Sequence, residues 1–414
     1  MAEPVPATRA DCEARDARDP LAFTRTRFRL PAGVTYLDGN SLGALPAEAP
    51  ARVARTVERE WGEGLISSWN AAGWIGQPQR LGARIAPLIG AGADEVICAD
   101  STSVNLFKLA AAALRLRPGR RLVIADAEEF PTDLYMLQGL AALVGGVEVR
   151  ALPEAAWAEA LAGGEPALLV SSHVNYRSGA LRDMAGWTAL AHAAGALALW
   201  DLSHSAGAVR VELDAVDADF AVGCGYKYLN GGPGAPAYLF VARRLQGEAQ
   251  NPLSGWMGHA APFAFEGAHR QGEGMARWLC GTPSILAMAA LEAGLDTFDG
   301  VRMAQVEAKA QALCALFAGT VEREAPGMFA PALPPGAPRG SHVSLRHASG
   351  YAMVQALIAE GVVGDFRDPD VLRFGFTPLY LGYAEVFDAA RRVADLAVSG
   401  RWRDPRFAVR GAVT

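Results

Sequence analysis

The sequence predicts an α/β protein whose mainly parallel sheet is covered by helices on both faces. Arg121–Ala125, Ala167–Ser171, Ala196–Trp200 and Phe220–Cys224 are short, largely apolar runs without the in-out alternation of a half-wet sheet, as expected of strands buried on both faces. Amphipathic stretches at Thr132–Val144 and Met184–Ala194 separate them, and strands alternating with helices give parallel pairs. At 414 residues the chain can also bury a large core in two or three domain-sized units.

Ahead of this block, Ala47–Trp61 reads as a helix behind Pro46, and Asp100–Arg115 as a second with Ser101 or Thr102 as its cap. Ala235–Ala242 follows the turn Gly231-Gly232-Pro233-Gly234 and reads as a hairpin return. From Ile285 one long helical stretch runs to about Phe317 and crosses a domain junction. Beyond a Pro-rich loop (Pro331–Pro338) come a strand at Ser341–Arg346, a helix at Met353–Glu360, a strand at Val371–Phe376 and a helix at Tyr383–Val398. The domains expected are an N-terminal arm (1–45), a large domain (46–295) and a small C-terminal domain (296–414).

Composition narrows the class. With 51% hydrophobic and 20% charged residues the chain is a globular protein rather than a disordered one. A net charge of -6 gives no reason to expect nucleic acid as partner. No apolar run is long enough for a membrane span, and Met1–Pro20 lacks the apolar core of a signal peptide, so the cytoplasm is the expected location. Cys12, Cys98, Cys224, Cys280 and Cys314 form no CxxC pair and read as free thiols. The histidines show no ligand spacing, and no metal site is expected.

Of the 38 basic residues only Lys108, Lys227 and Lys309 are lysines. Arginine stays protonated and forms no imine, so imine chemistry has three possible anchors. Lys108 is expected on a solvated helix face, and Lys309 lies in an Ala/Glu-rich helix. Asp201 ends the run ALALW at the carboxyl end of a buried strand, the edge where doubly wound sheets bind ligands. Lys227 lies three residues beyond the next run. A carboxylate able to keep a pyridinium nitrogen protonated, with a lysine one strand over, is the arrangement a pyridoxal-phosphate site needs. Taken singly, an Asp behind a strand more often caps a turn; the expectation rests on the pair. Ser101-Thr102-Ser103 opens a helix and serves either as an anion site or as a plain cap. Phe130, in Glu128–Asp133 behind RLVIA, stacks on a flat ring or belongs to the core. Arg373 sits inside the apolar run VLRFGF and suits a substrate carboxylate, whereas Arg367 is expected to pair with Asp368 or Asp370.

Four segments taken together resemble one family. They are Tyr36–Gly43 (YLDGNSLG), Phe130–Asp133 (FPTD), Trp200–Gly207 (WDLSHSAG) and Gly225–Gly234 (GYKYLNGGPG), joined by Phe366–Tyr380 (FRDPDVLRFGFTPLY). In order and spacing, from about Leu37 to Tyr383, they resemble kynureninases, enzymes of fold type I in the aspartate-aminotransferase superfamily. The resemblance implies a seven-stranded sheet, pyridoxal 5′-phosphate, a homodimer with sites at the subunit interface, and hydrolysis of L-kynurenine to anthranilate and L-alanine. It implies that Lys227 holds the cofactor as a Schiff base and moves protons, with Tyr226 as a further proton donor. Asp201 would pair with the ring nitrogen, His204 and Asp133 would support the ring, Phe130 would stack on it, and Ser172 would lie nearby. Thr102, Ser103, Tyr226, Trp256 and Thr282 would surround the phosphate, the last two from the partner subunit. Arg373 would bind the substrate carboxylate, with Asn40 and Ser41 beside it. The alternative is a cysteine desulfurase or selenocysteine lyase. Those relatives place His directly before the lysine and use a mobile Cys; here Tyr226 stands in that place. Trp61–Trp74 holds no counterpart of a substrate-contacting His and offers Trp61, Trp69 and Trp74 instead, which leaves kynurenine and 3-hydroxykynurenine both open as substrates.

Overall fold

Seven strands build the central sheet of the computed structural model, which describes residues 5–411. In chain order they are β1 (Val96–Cys98), β2 (Leu122–Asp126), β3 (Glu148–Leu152), β4 (Pro166–Ser172), β5 (Leu197–Asp201), β6 (Phe220–Gly223) and β7 (Tyr238–Val241). They lie side by side in the order β1-β7-β6-β5-β4-β2-β3. Only β7 runs antiparallel to its neighbours, as the expected hairpin return; the other pairings are parallel. Consequently all six strands other than β7 end at one edge of the sheet.

Every residue of β2, β4, β5, β6 and β7 is buried, which is why their sequences read as largely apolar runs. Alternate residues feed two cores, one on each face: Ile124, Leu169 and Ala198 in one, Val123, Leu168 and Leu197 in the other. Two strands escape the apolar-run criterion. β3 is an edge strand with exposed positions and carries Glu148 and Arg150, and β1 has only three residues.

The principal helices are α1 (Arg9–Asp16), α2 (Ala49–Arg55), α3 (Gln77–Ile85), α4 (Thr102–Leu116), α5 (Pro131–Val144), α6 (Met184–Ala193), α7 (Ile285–Asp296), α8 (Met303–Glu324), α9 (Gly350–Ala359) and α10 (Tyr383–Ser399). Three expectations need correction. The stretch read as one helix from Ile285 to Phe317 is two, because the chain turns at Phe298–Gly300, where Gly300 takes φ 74°. The helix expected to Trp61 is α-helical only to Arg55 and continues as a π-turn over Thr56–Trp61. Lys108 is likewise not on a solvated face; it is fully buried.

Near the C-terminus, β8 (His342–Arg346), β9 (Asp365–Arg367) and β10 (Val371–Gly375) form an antiparallel sheet in the order β8-β10-β9, with Ala330–Pro331 on the far side of β8. The N-terminal arm joins this layer: Thr35–Tyr36 pairs in parallel with Val362–Val363, and α1 packs on α10. Residues 1–4 and 412–414, the outer ends of the expected first and last domains, lie outside the described residues. No helix among the described residues is long and apolar enough to cross a membrane.

Candidate active site

The shared edge of these strands gathers the residues singled out in the sequence. Asp201 closes β5 and pairs in register with Ser172, the last residue of β4. Lys227 leaves β6 and turns back so that its Nζ lies 3.0 Å from His204 Nε2. Between β2 and α5, Glu129 and Phe130 reach the same edge, with Asp133 in the first turn of α5. This is where the strand order reverses from β4 to β2, the kind of switch point that opens a ligand crevice. On the far flank, Thr102 and Ser103 open α4 just beyond β1, and the Ser101 hydroxyl caps that helix by accepting from Val104 N.

The electrostatics of this edge are lopsided. Glu129, Asp133 and Asp201 are all buried, close to a single lysine. Burial, then the charges of Asp201 and Glu129, hold the Asp133 carboxyl well above its ordinary range. Burial also pushes Glu129 up to about 7, against hydrogen bonds from the Ser172 hydroxyl and from Ser172 N (2.6 Å). His204 is held neutral, first by burial and then by the neighbouring Lys227 charge. Burial likewise raises the Tyr226 phenol, which stays protonated at neutral pH. The Lys227 ammonium lies 5.8 Å from the centre of the Tyr226 ring.

The N-terminal arm closes the site from the other side. Gly43 N donates to Tyr226 O (2.7 Å), and a Cβ at Gly43 would stand 2.4 Å from Lys227 O. The preceding residues meet Arg373, which lies in β10 and is 1% exposed. Its guanidinium donates from Nε (2.9 Å) and Nη2 (2.5 Å) to Asp365, from Nη2 to Ser41 Oγ (2.8 Å) and from Nη1 to Tyr176 O (2.6 Å). With its amide turned, Asn40 Oδ1 accepts from the same guanidinium at 2.9 Å. Burial works against the Asp365 charge, but Arg373 and then Arg367 outweigh it and keep the carboxyl below its ordinary range. Arg367 pairs with Asp365 (2.7 Å), not with the expected Asp368 or Asp370, which pair with Arg410 and Arg346.

Trp256 and Thr282 stand apart in character: both are exposed, on segments joined by Met257 N to Cys280 O (3.2 Å), and the Trp256 ring packs edge-on against Phe263. Phe130 is half open to solvent, 45% exposed, and meets the Tyr176 ring edge-on. Four residues in or behind the site had not been read from the sequence: Glu129, Asp365, His342 and Tyr176. The fully buried His342 ring lies 5.7 Å from that of His204. Glu129 alone carried a signal, three residues behind β2 in the segment that supplies Phe130. The others arrive through tertiary pairing.

The residues fit pyridoxal phosphate. Three buried carboxylates around one lysine call for a further positive charge, which a protonated ring nitrogen supplies. Among the described residues, Asp133 Oδ2 and His204 Nδ1 are buried without a partner, polar atoms left open to a ligand.

Residues 306–393 match a family model described as the kynureninase C-terminal domain. A protein named kynureninase from Burkholderia mallei (strain SAVP1) is 50% identical over 414 residues, covering 98% of this chain and 100% of its own length. Among solved structures, an apo cysteine desulfurase from Thermococcus onnurineus NA1 matches with a TM-score of 0.76 at 18% identity, over 91% of this chain and 98% of its own. A C-DES mutant with glycine covalently linked to its pyridoxal-phosphate cofactor gives a TM-score of 0.75 at 21% identity, over 90% of this chain and 99% of its own. At such identities those two structures share the fold alone. Half of all positions along nearly the full chain is a closer kinship, and the chain belongs to the kynureninase family.

Proposed function

We propose that the chain hydrolyses the Cβ–Cγ bond of L-kynurenine, consuming water and releasing anthranilate and L-alanine, with pyridoxal 5′-phosphate as cofactor. The observation that carries this reading is Lys227 against neutral His204 beside the buried Asp201 and Asp133, at the one sheet edge that also faces Arg373. Asp201, Asp133, His204, Phe130 and Ser172 would hold the ring, and Thr102 and Ser103 the phosphate, at a helix start suited to anions. When bound, the cofactor supplies an electron sink for the substrate's α-carbon. Lys227 takes the proton from that carbon, and neutral His204 accepts a hydrogen bond from the lysine. The protonated Tyr226 phenol is the donor for the Cβ of the departing alanine. Arg373, with Asn40 and Ser41 at its side, holds the substrate carboxylate. The choice between kynurenine and 3-hydroxykynurenine stays with the aromatic segment Trp61–Trp74.

The assembly we infer is a homodimer, in which Trp256 and Thr282 complete the phosphate site of the partner subunit. The cluster of exposed Trp256 (38%), Phe263 (60%) and Phe265 (79%) supports this, being the kind of surface a partner covers. A large domain (46–295) and a small one (296–414) joined by the arm (1–45) complete the reading. Five unpaired cysteines favour a reducing compartment, the cytoplasm. The test is direct. Purified protein mixed with kynurenine should develop anthranilate fluorescence, and Lys227→Ala should lose both this and the absorbance of the anchored cofactor. Sulfide release from cysteine without anthranilate formation would sink the reading.

A further inference from the structure

Lys108 is 0% exposed, and a buried ammonium is costly unless it is paired and hydrogen-bonded. Its three donors find three acceptors: the Asp100 carboxylate, Trp278 O (2.8 Å) and Asn105 Oδ1 (3.3 Å). Each partner leads to backbone that matters. Asp100 takes a left-handed conformation (φ 47°), which non-glycine residues seldom adopt, immediately before the Ser101 cap of α4. The turn is fixed from two more sides: Ala237 N donates to Asp100 O (3.0 Å) and Asn105 Nδ2 to Ala99 O (2.7 Å). Trp278 begins the segment that runs to Thr282, and Cys280 O ties that segment to the residue after Trp256.

We propose that Lys108 is a positioning residue for the cofactor phosphate. It neutralises Asp100, whose carboxylate would otherwise stand uncompensated beside a helix start suited to an anion. It also locks the turn that aims the first N–H groups of α4, at Thr102 and Ser103. Through Trp278 the same ammonium anchors the segment bearing Trp256 and Thr282. One cation thus holds two surfaces of a subunit in register, its own phosphate cradle and the one offered to its partner. The inference rests on the cofactor and dimer readings given above.

Pyridoxal, which lacks the phosphate, separates this role from plain structural support. Full-length apoprotein is titrated with pyridoxal 5′-phosphate and with pyridoxal, and binding is followed by absorbance. Removing a charge-assisted contact of this kind should weaken pyridoxal 5′-phosphate about tenfold in Lys108→Met, while pyridoxal affinity holds within about twofold. Asp100→Asn combined with Lys108→Met leaves no uncompensated carboxylate. It should recover part of the loss and carries the test if the single variant fails to fold. Parallel weakening of both ligands, unchanged affinity for both, or failure of both variants to fold would overturn the proposal. Wild-type protein that binds neither compound would overturn the cofactor reading as well, a result distinct from parallel loss in the variants alone.

Discussion

His342 lies behind the site rather than in it. Its ring is fully buried beside His204, and neither of its nitrogens has a hydrogen-bond partner among the described residues. Burial, then the nearby Arg373 charge, lowers it from the ordinary 6.5 to about 3, although Asp365 pulls the other way. The folded protein therefore keeps it neutral while the unfolded chain protonates it below about 6.5. Its stabilising share is complete above that value and is lost as pH falls toward 3. Measured against His342→Gln, whose amide does not titrate, the wild type should lose about 1.4 kcal/mol for each pH unit below 6.5. Paired thermal melts at pH 7 and pH 5 check this; a constant gap in Tm would show that His342 is not held neutral. Little of this was legible in the sequence. Arg373 betrayed itself as a charge inside an apolar run, but Asp365 reaches it only because β9 pairs with β10 in the register that sets the two opposite each other. A single strand pattern carries no such information.

At the level of elements, the buried strands were legible for the physical reason that places them in the middle of the sheet: covered on both faces, they are apolar except at the ends, where Asp126, Ser172 and Asp201 reach the site edge. The edge strand β3 was not, since one side of it meets solvent. The break between α7 and α8 hid for a similar reason, as Ala-rich sequence on both sides reads as continuous helix and the turn consists of only a few residues. The loop Asn40–Gly43 is the element that touches both the lysine loop and Arg373. A Cβ at Gly43 would stand 2.4 Å from Lys227 O and 2.7 Å from Asn230 Cα, backbone that cannot swing aside as a side chain could. Gly43→Ala should therefore shift the Tyr226–Asn230 loop and cut kcat for kynurenine cleavage at least tenfold, with a loss of stability of about 1–3 kcal/mol typical of overpacking. Steady-state kinetics alongside thermal melting decides it: wild-type kcat in this variant would show that the arm does not set the lysine's position.

On the scale of the whole molecule, the residues expected to serve one cofactor divide into two groups with different surroundings. Lys227, Asp201, Asp133, His204 and Ser172 are interlocked at the sheet edge, whereas Trp256 and Thr282 face outward beside exposed Phe263 and Phe265. Such a division is what a site shared between identical subunits produces, because a two-fold axis brings each outward surface onto its partner's edge. The pairing proposed above then predicts complementation between two inactive proteins. Lys227→Ala removes the anchor from one surface, and Trp256→Ala combined with Thr282→Ala disables the other. In a mixed dimer one site collects both defects and the other collects none. After unfolding and refolding together at equal amounts, half of the dimers are mixed and carry one intact site in two, so activity should return to about a quarter of wild type. Each parent refolded alone should stay inactive. If the mixture recovers nothing while gel filtration still reports dimers, Trp256 and Thr282 serve their own subunit and each site is built from one chain.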